Sequence, residues 1–151
     1  MRSLNSIHIR QAEIADAENI AFCIALALNH FDEIPKSKSL FSKEALVSHI
    51  NHQEIKYFVA ELKQSLVGVI AYKQPAHIFH FFVHPNLQFQ GVGTHLFNYV
   101  LDQLTQMEIQ SITVNAHIGA VHFYKKLGFT SQSEVEIFED MKFIRMNKMV
   151  E

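Results

Sequence analysis

Apolar and polar residues along the 151-residue chain change period several times. Residues 6–10, SIHIR, alternate as a half-buried strand does. Beyond Asp16, a helix-capping residue, Ile20, Ile24, Ala27, Leu28 and Phe31 recur at helical spacing. Residues 32–40 read as a polar loop containing Pro35, and Ser42 caps a short helix with Leu46, Val47 and Ile50 on one face. Two apolar runs within 56–73, broken at Lys63 and Gln64, predict a hairpin that Pro75 closes. HIFHFFV at 77–83 predicts a strand stopped by Pro85. Over 91–107, Val92, Leu96, Val100, Leu104 and Met107 form one stripe, widened by Phe97 and Leu101, which predicts a helix. A short buried strand follows at 111–114, then a helix over 119–129 ended by Gly128. The tail alternates over 133–138 and 141–149 around a turn at Glu139 and Asp140. The resulting order, β-α-α-β-β-β-α-β-α-β-β, predicts a mixed sheet flanked by helices, with parallel pairing where a helix crosses over.

Composition narrows the class. The length fits one domain over 1–151, and 48% hydrophobic with 19% charged residues fits a globular protein. No apolar run approaches the roughly 20 residues of a membrane span. Residues 1–10 lack the apolar segment of a secretory leader, so a cytoplasmic location is expected. The single Cys23 excludes an internal disulfide and a cysteine-only metal site, and its apolar helical surroundings mark it as a core residue. A net charge of −2 without a Lys/Arg block argues against a nucleic-acid partner and leans towards a cationic one.

Two of the five glycines, Gly91 and Gly93, fall in QFQGVG between a strand and a helix. The first four N–H groups of a helix have no internal acceptor, and the helix dipole adds partial positive charge there. Glycine lets an anion approach that backbone, so the turn reads as a phosphate cradle. A plain helix start with glycines used for packing accounts for the pair equally well. A dinucleotide fingerprint fails, because the turn follows the fourth strand and the third glycine and the later acid are missing. A P-loop fails for want of Gly-Lys-Ser/Thr.

VHPNLQFQGVGTHLF resembles motif A of the GNAT superfamily of N-acetyltransferases, with the Gln/Arg-x-x-Gly-x-Gly/Ala signature at Gln88, Gly91 and Gly93. VNAHIGAVHFYKKLGF at 114–129 resembles motif B, with a strand ending in Asn115 and then Ala-x-x-Phe-Tyr-x-x-x-Gly-Phe. The first strand and helix and the final hairpin are similar too, so the resemblance covers nearly the whole chain. It implies an α/β (α+β) GNAT fold: a mixed sheet of about six to seven strands, about four flanking helices, and a splay between the fourth and fifth strands. It implies acetyl-CoA as co-substrate and no metal. The backbone of Gln88, Phe89, Gln90, Gly91, Val92, Gly93 and Thr94 would hold the pyrophosphate, with the Thr94 hydroxyl as an extra donor. Phe81, Phe82 and Val83 would pair with the pantetheine amides as an added strand does. Asn115 would lie near that arm and Tyr124 near the thioester sulfur.

Acetyl transfer to an amine needs a neutral nucleophile, a donor to the oxyanion and a proton for the departing thiolate. Tyr124 suits the last role, although a core aromatic has the same pattern; the backbone N–H of Val83 is the candidate oxyanion donor. Many relatives carry a glutamate where this chain has His77, so His77 is the first candidate base, unless it is a solvated strand-start residue. His80 is the alternative, expected on the opposite strand face. That alternation keeps His77, His80 and His84 from converging on a metal without a bulge. The acceptor would enter between the loop containing Asp32 and Glu33 and the hairpin carrying Glu134, Glu136 and Glu139. Of these, Glu33, Glu134 and Glu136 are the candidate contacts to a cationic amine, although solvated charges look the same in sequence. The acceptor is expected to be a primary amine on a small molecule or on a protein end or lysine, acetylated directly in a ternary complex. Nucleic acid and membrane are not expected as partners, and family members often form homodimers. Two other readings stay open: a non-catalytic acyl-CoA sensor and a different phosphate-ligand domain.

Overall fold

A computed structural model describes residues 6–30, 39–87 and 90–150. Strand β1 (Ile7–Gln11) leads through a single 3-10 turn into α1 (Ala17–His30). The Asp16 carboxylate ends that turn: it accepts the Glu13 N–H at 2.7 Å and N–H groups of both terminal Arg10 guanidinium nitrogens at 2.8 Å. Helix α2 (Lys43–Asn51) begins where Ser42 Oγ accepts the Ala45 N–H at 3.1 Å. Then come β2 (Ile55–Leu62), β3 (Ser65–Lys73), β4 (His77–Val83), α3 (Val92–Gln106), β5 (Ser111–His117), α4 (Val121–Lys126), β6 (Thr130–Ser131), β7 (Glu136–Phe138) and β8 (Met141–Met149).

The strands form one sheet in the order β1-β2-β3-β4-β5-β8-β6, with β7 paired to β8. All pairs are antiparallel except β4 with β5, the pair that α3 bridges. The expected element order and mixed sheet are therefore present. The differences are local: β5 runs on to His117, β6 is an additional short strand, and only 136–138 of the tail segment 133–138 is strand. The β2–β3 and β7–β8 turns each hold two residues at positive φ, Lys63 with Gln64 and Glu139 with Asp140.

Apolar stripes bury against opposite sheet faces. Ile20, Ile24 and Leu28 of α1 and Leu46 of α2 pack on Tyr57, Val59, Val69 and Ala71. Leu96, Phe97, Val100 and Leu104 of α3 and Tyr124 of α4 pack with Phe58, Ile70 and Ile112.

Two irregularities of β4 shape the centre. Its register with β3 shifts so that Ala71 faces His80 while Tyr72 faces Ile78, leaving Phe79 as an extra residue. And β4 pairs with β5 only at His77–Thr113 and Ile78–Val114; beyond these pairs the two strands separate.

Candidate active site

The site starts at the head of α3. Gly91 precedes the helix at φ 89° and ψ 0°, a left-handed conformation that favours glycine. The His95 N–H reaches the Gly91 carbonyl at 3.0 Å, so the N–H groups of Val92, Gly93 and Thr94 precede the first helical hydrogen bond. Among the described residues no side chain caps this end, and its first turn holds no acid. Thr94 is exposed. Gln90 is exposed too, its side-chain amide reaching the Asn86 carbonyl at 3.4 Å. Gln88 and Phe89 lie outside the described residues.

Gly93 has another reason to lack a side chain. A Cβ there would stand 3.1 Å from Phe123 Cζ and 3.6 Å from Val83 Cγ2. The first turn of α3 is thus pressed against α4 and the end of β4.

Between diverging β4 and β5 lies an aromatic cluster. Phe81 meets Phe123 and Tyr124 edge-on, at ring separations of 5.6 and 6.0 Å. Tyr124 is 5% exposed, and burial pushes its phenol well above the ordinary value. The phenol therefore stays protonated near neutrality and can donate. No described residue accepts from or donates to its hydroxyl. Its carbonyl is fixed: it accepts the Phe129 N–H at 3.0 Å, while the Gly128 N–H, at φ 98°, reaches the Lys125 carbonyl at 3.0 Å. Asn115 is exposed and sits opposite Arg145 of β8.

The bulge corrects the expected placement of the histidines. Ile78, Phe81 and Val83 pack on the α3–α4 side, whereas Phe79 and Phe82 pack on the α1–α2 side. The His80 ring stacks on Phe79 at 4.3 Å and meets Phe41 and His49 of the α2 region at 5.2 and 5.7 Å. His80 therefore shares a face with His77, because two successive residues at the bulge point the same way. Their environments differ. His80 is buried and its imidazole is pushed down to about 3, by desolvation first and then by neighbouring His49. Its Nδ1 lies 2.7 Å from the Tyr57 hydroxyl. His77 is half-buried, with Nδ1 2.8 Å from Thr113 Oγ1, and burial followed by Lys73 lowers its imidazole. Of the two, His77 is the more accessible.

On the acceptor side, Glu33 lies outside the described residues, as does Asp32. Glu134 is exposed. Glu136 is bound to Arg145 Nε at 2.6 Å, and that bond holds its carboxyl below the usual range. Phe123, adjacent to Tyr124 in motif B, and Arg145, reached only through the β5–β8 register, are contributors the sequence reading passed over. Among the described residues no group of three His, Cys, Asp or Glu is arranged to hold a metal ion. No helix there is long and apolar enough to cross a membrane.

The Acetyltransferase (GNAT) domain family matches residues 29–150 of the chain. Over 47 residues the chain is 45% identical to the uncharacterized N-acetyltransferase ycf52 of Pyropia yezoensis, a match spanning 31% of this chain and 27% of that relative. The PaiA N-acetyltransferase of Thermoplasma acidophilum, solved in complex with coenzyme A, superposes with a TM-score of 0.82 at 19% identity, covering 96% of this chain and 99% of that one. The ribosomal-protein-S18-alanine N-acetyltransferase of Escherichia coli gives 0.76 at 16% identity over 95% and 93% of the two chains. At these identities the structural likeness is one of fold.

Proposed function

We propose that this chain, which belongs to the GNAT family of acetyltransferases, moves an acetyl group from acetyl-CoA to a primary amine by direct transfer in a ternary complex. The observation that carries the reading is the separation of β4 from β5 after Ile78, with the glycine-led start of α3 beyond the end of β4 and the Tyr124 ring 6.0 Å from Phe81 of β4.

The residues fit the co-substrate. The N–H groups of Val92, Gly93 and Thr94 would donate to the pyrophosphate, in a turn that Gly91 keeps open. Gln88, Phe89 and Gln90 precede them and would complete the cradle. The backbone of Phe81, Phe82 and Val83 would run beside the pantetheine arm, with Asn115 across the opening. That the Thermoplasma relative was solved with coenzyme A supports this assignment.

In the transfer, the amine nitrogen forms the C–N bond while the C–S bond breaks. His77, directly or through one water, would take the amine's proton, since an alkylamine of pKa near 10 arrives protonated. The Val83 N–H would donate to the oxyanion. Tyr124, kept protonated by burial, would give its proton to the departing thiolate. Cys23 takes no part, because desolvation pushes its thiol up to about 12. A cytoplasmic location goes with this reading, since acetyl-CoA is the co-substrate.

The test is amine-dependent release of free CoA thiol. Tyr124→Phe is expected to cut kcat roughly 100-fold while CoA still raises the melting temperature. Wild-type protein that binds acetyl-CoA yet releases no thiol with any amine would favour the sensor reading.

A further inference from the structure

Helices α1 and α2 cover only part of the sheet face that carries His77 and His80. Their buried contacts are with β2, β3 and β4. Over β5 and β8 no described helix covers the same face, and Thr113, Asn115 and Arg145 on it are exposed. Residues paired across strands share a face, so the register shows what lines this trough. Asn115 faces Arg145 and His117 faces Phe143; at the hairpin, Glu136 faces Phe143 and Phe138 faces Met141. Met141 reaches back to the cluster that contains Phe79 and Phe82. Phe138 is 58% exposed.

The charges on the same strand face do not favour a polycation. Lys73 sits opposite His77, and Glu136 is neutralised by Arg145 at 2.6 Å. No carboxylate on these strands faces the trough without a cation beside it. The floor is therefore polar beside the opening, at Thr113, Asn115 and Arg145, and apolar towards the hairpin, at Phe138, Met141 and Phe143.

Resting on the proposed transferase reading, we propose that the acceptor is a primary amine bearing an apolar or aromatic group next to its nitrogen, seated on Phe138, Met141 and Phe143. On this proposal the apolar group, rather than carboxylates such as Glu33, Glu134 and Glu136, selects the amine.

The experiment compares kcat/KM, by thiol release with acetyl-CoA, for 2-phenylethylamine, a peptide beginning with phenylalanine, glycinamide and spermidine. The first or second should exceed both others by about tenfold or more, and which of them leads separates a small amine from a protein end as the source. Phe138→Ser should lower the aromatic acceptor's kcat/KM about tenfold, mainly through KM, with CoA affinity unchanged. Arg145→Ala should uncover the Glu136 carboxylate and raise the use of spermidine relative to phenylethylamine. Spermidine equal to or better than the aromatic acceptors overturns the proposal, as does an equal loss for all amines in Phe138→Ser. Turnover of no amine by protein that binds CoA overturns the transferase reading itself, a separate failure from the wrong preference.

Discussion

Gly91 supplies a backbone conformation at φ 89°, whereas Gly93 supplies space for the Phe123 ring. Both serve the head of α3, but a substitution would reveal the difference. Alanine at 91 would be strained in the left-handed region. Alanine at 93 would keep an ordinary helical backbone and push Phe123, whose ring packs 5.6 Å from both Phe81 and Tyr124. We expect Gly93→Ala to lower kcat roughly tenfold by displacing Tyr124, with CoA affinity changed less than about threefold. Steady-state kinetics beside calorimetric CoA binding would check it, and equal losses in both would count against the coupling. The spacing of the two glycines was legible in the sequence. Packing was one of the two roles open for the pair, but the partner of Gly93 was not legible, because Phe123 lies thirty residues further on and meets it only when α4 folds against α3.

At the scale of elements, the turn between β2 and β3 was placed correctly from apolar runs around a polar break, yet its residues are poor turn formers. Lys63 at φ 52° and Gln64 at φ 68° adopt the doubly left-handed turn that suits strand twist, without the usual Asn-Gly. Replacing them together, Lys63→Asn with Gln64→Gly, should stabilise the protein by about 1 kcal/mol. A higher urea midpoint at unchanged slope would register the gain; no shift would mean that these side chains stabilise the native turn. The bulge in β4 is a contrasting case. HIFHFFV reads as regular alternation, and the extra residue arises only where β4 must match β3 on one side and meet β5 on the other. That single displacement turns His80 into the α1–α2 core beside Phe79, where it bonds Tyr57.

For the molecule as a whole, this buried histidine ties stability to pH. Its folded pKa is depressed to about 3, whereas the unfolded value is near 6.5. The unfolded chain thus binds the proton first as pH falls. The stabilising difference is fully present above the unfolded value and is lost as pH drops from about 6.5 towards the folded pKa. Moving from pH 7 to pH 5 should cost about 2 kcal/mol from His80 alone. His49, His77 and His117, all lowered by burial first, act in the same direction. Denaturant unfolding at the two pH values measures this, and His80→Gln should flatten the slope; an unchanged slope in that variant would assign the acid sensitivity elsewhere.

Periodicity and motif spacing, read from the chain alone, determined the element order, the mixed sheet and the helix start proposed to meet the co-substrate. These are consequences of local alternation and of short runs with a set backbone geometry, so neighbouring residues suffice to specify them. Tertiary structure decided what depends on distant partners. The β4 bulge set the face that His80 occupies, and α4 gave Gly93 its neighbour. The β5–β8–β7 register joined Arg145 to Glu136 and laid Phe138, Met141 and Phe143 along the trough. Side-chain direction in a sheet is a property of pairing, and pairing is settled only when strands far apart in sequence close on one another.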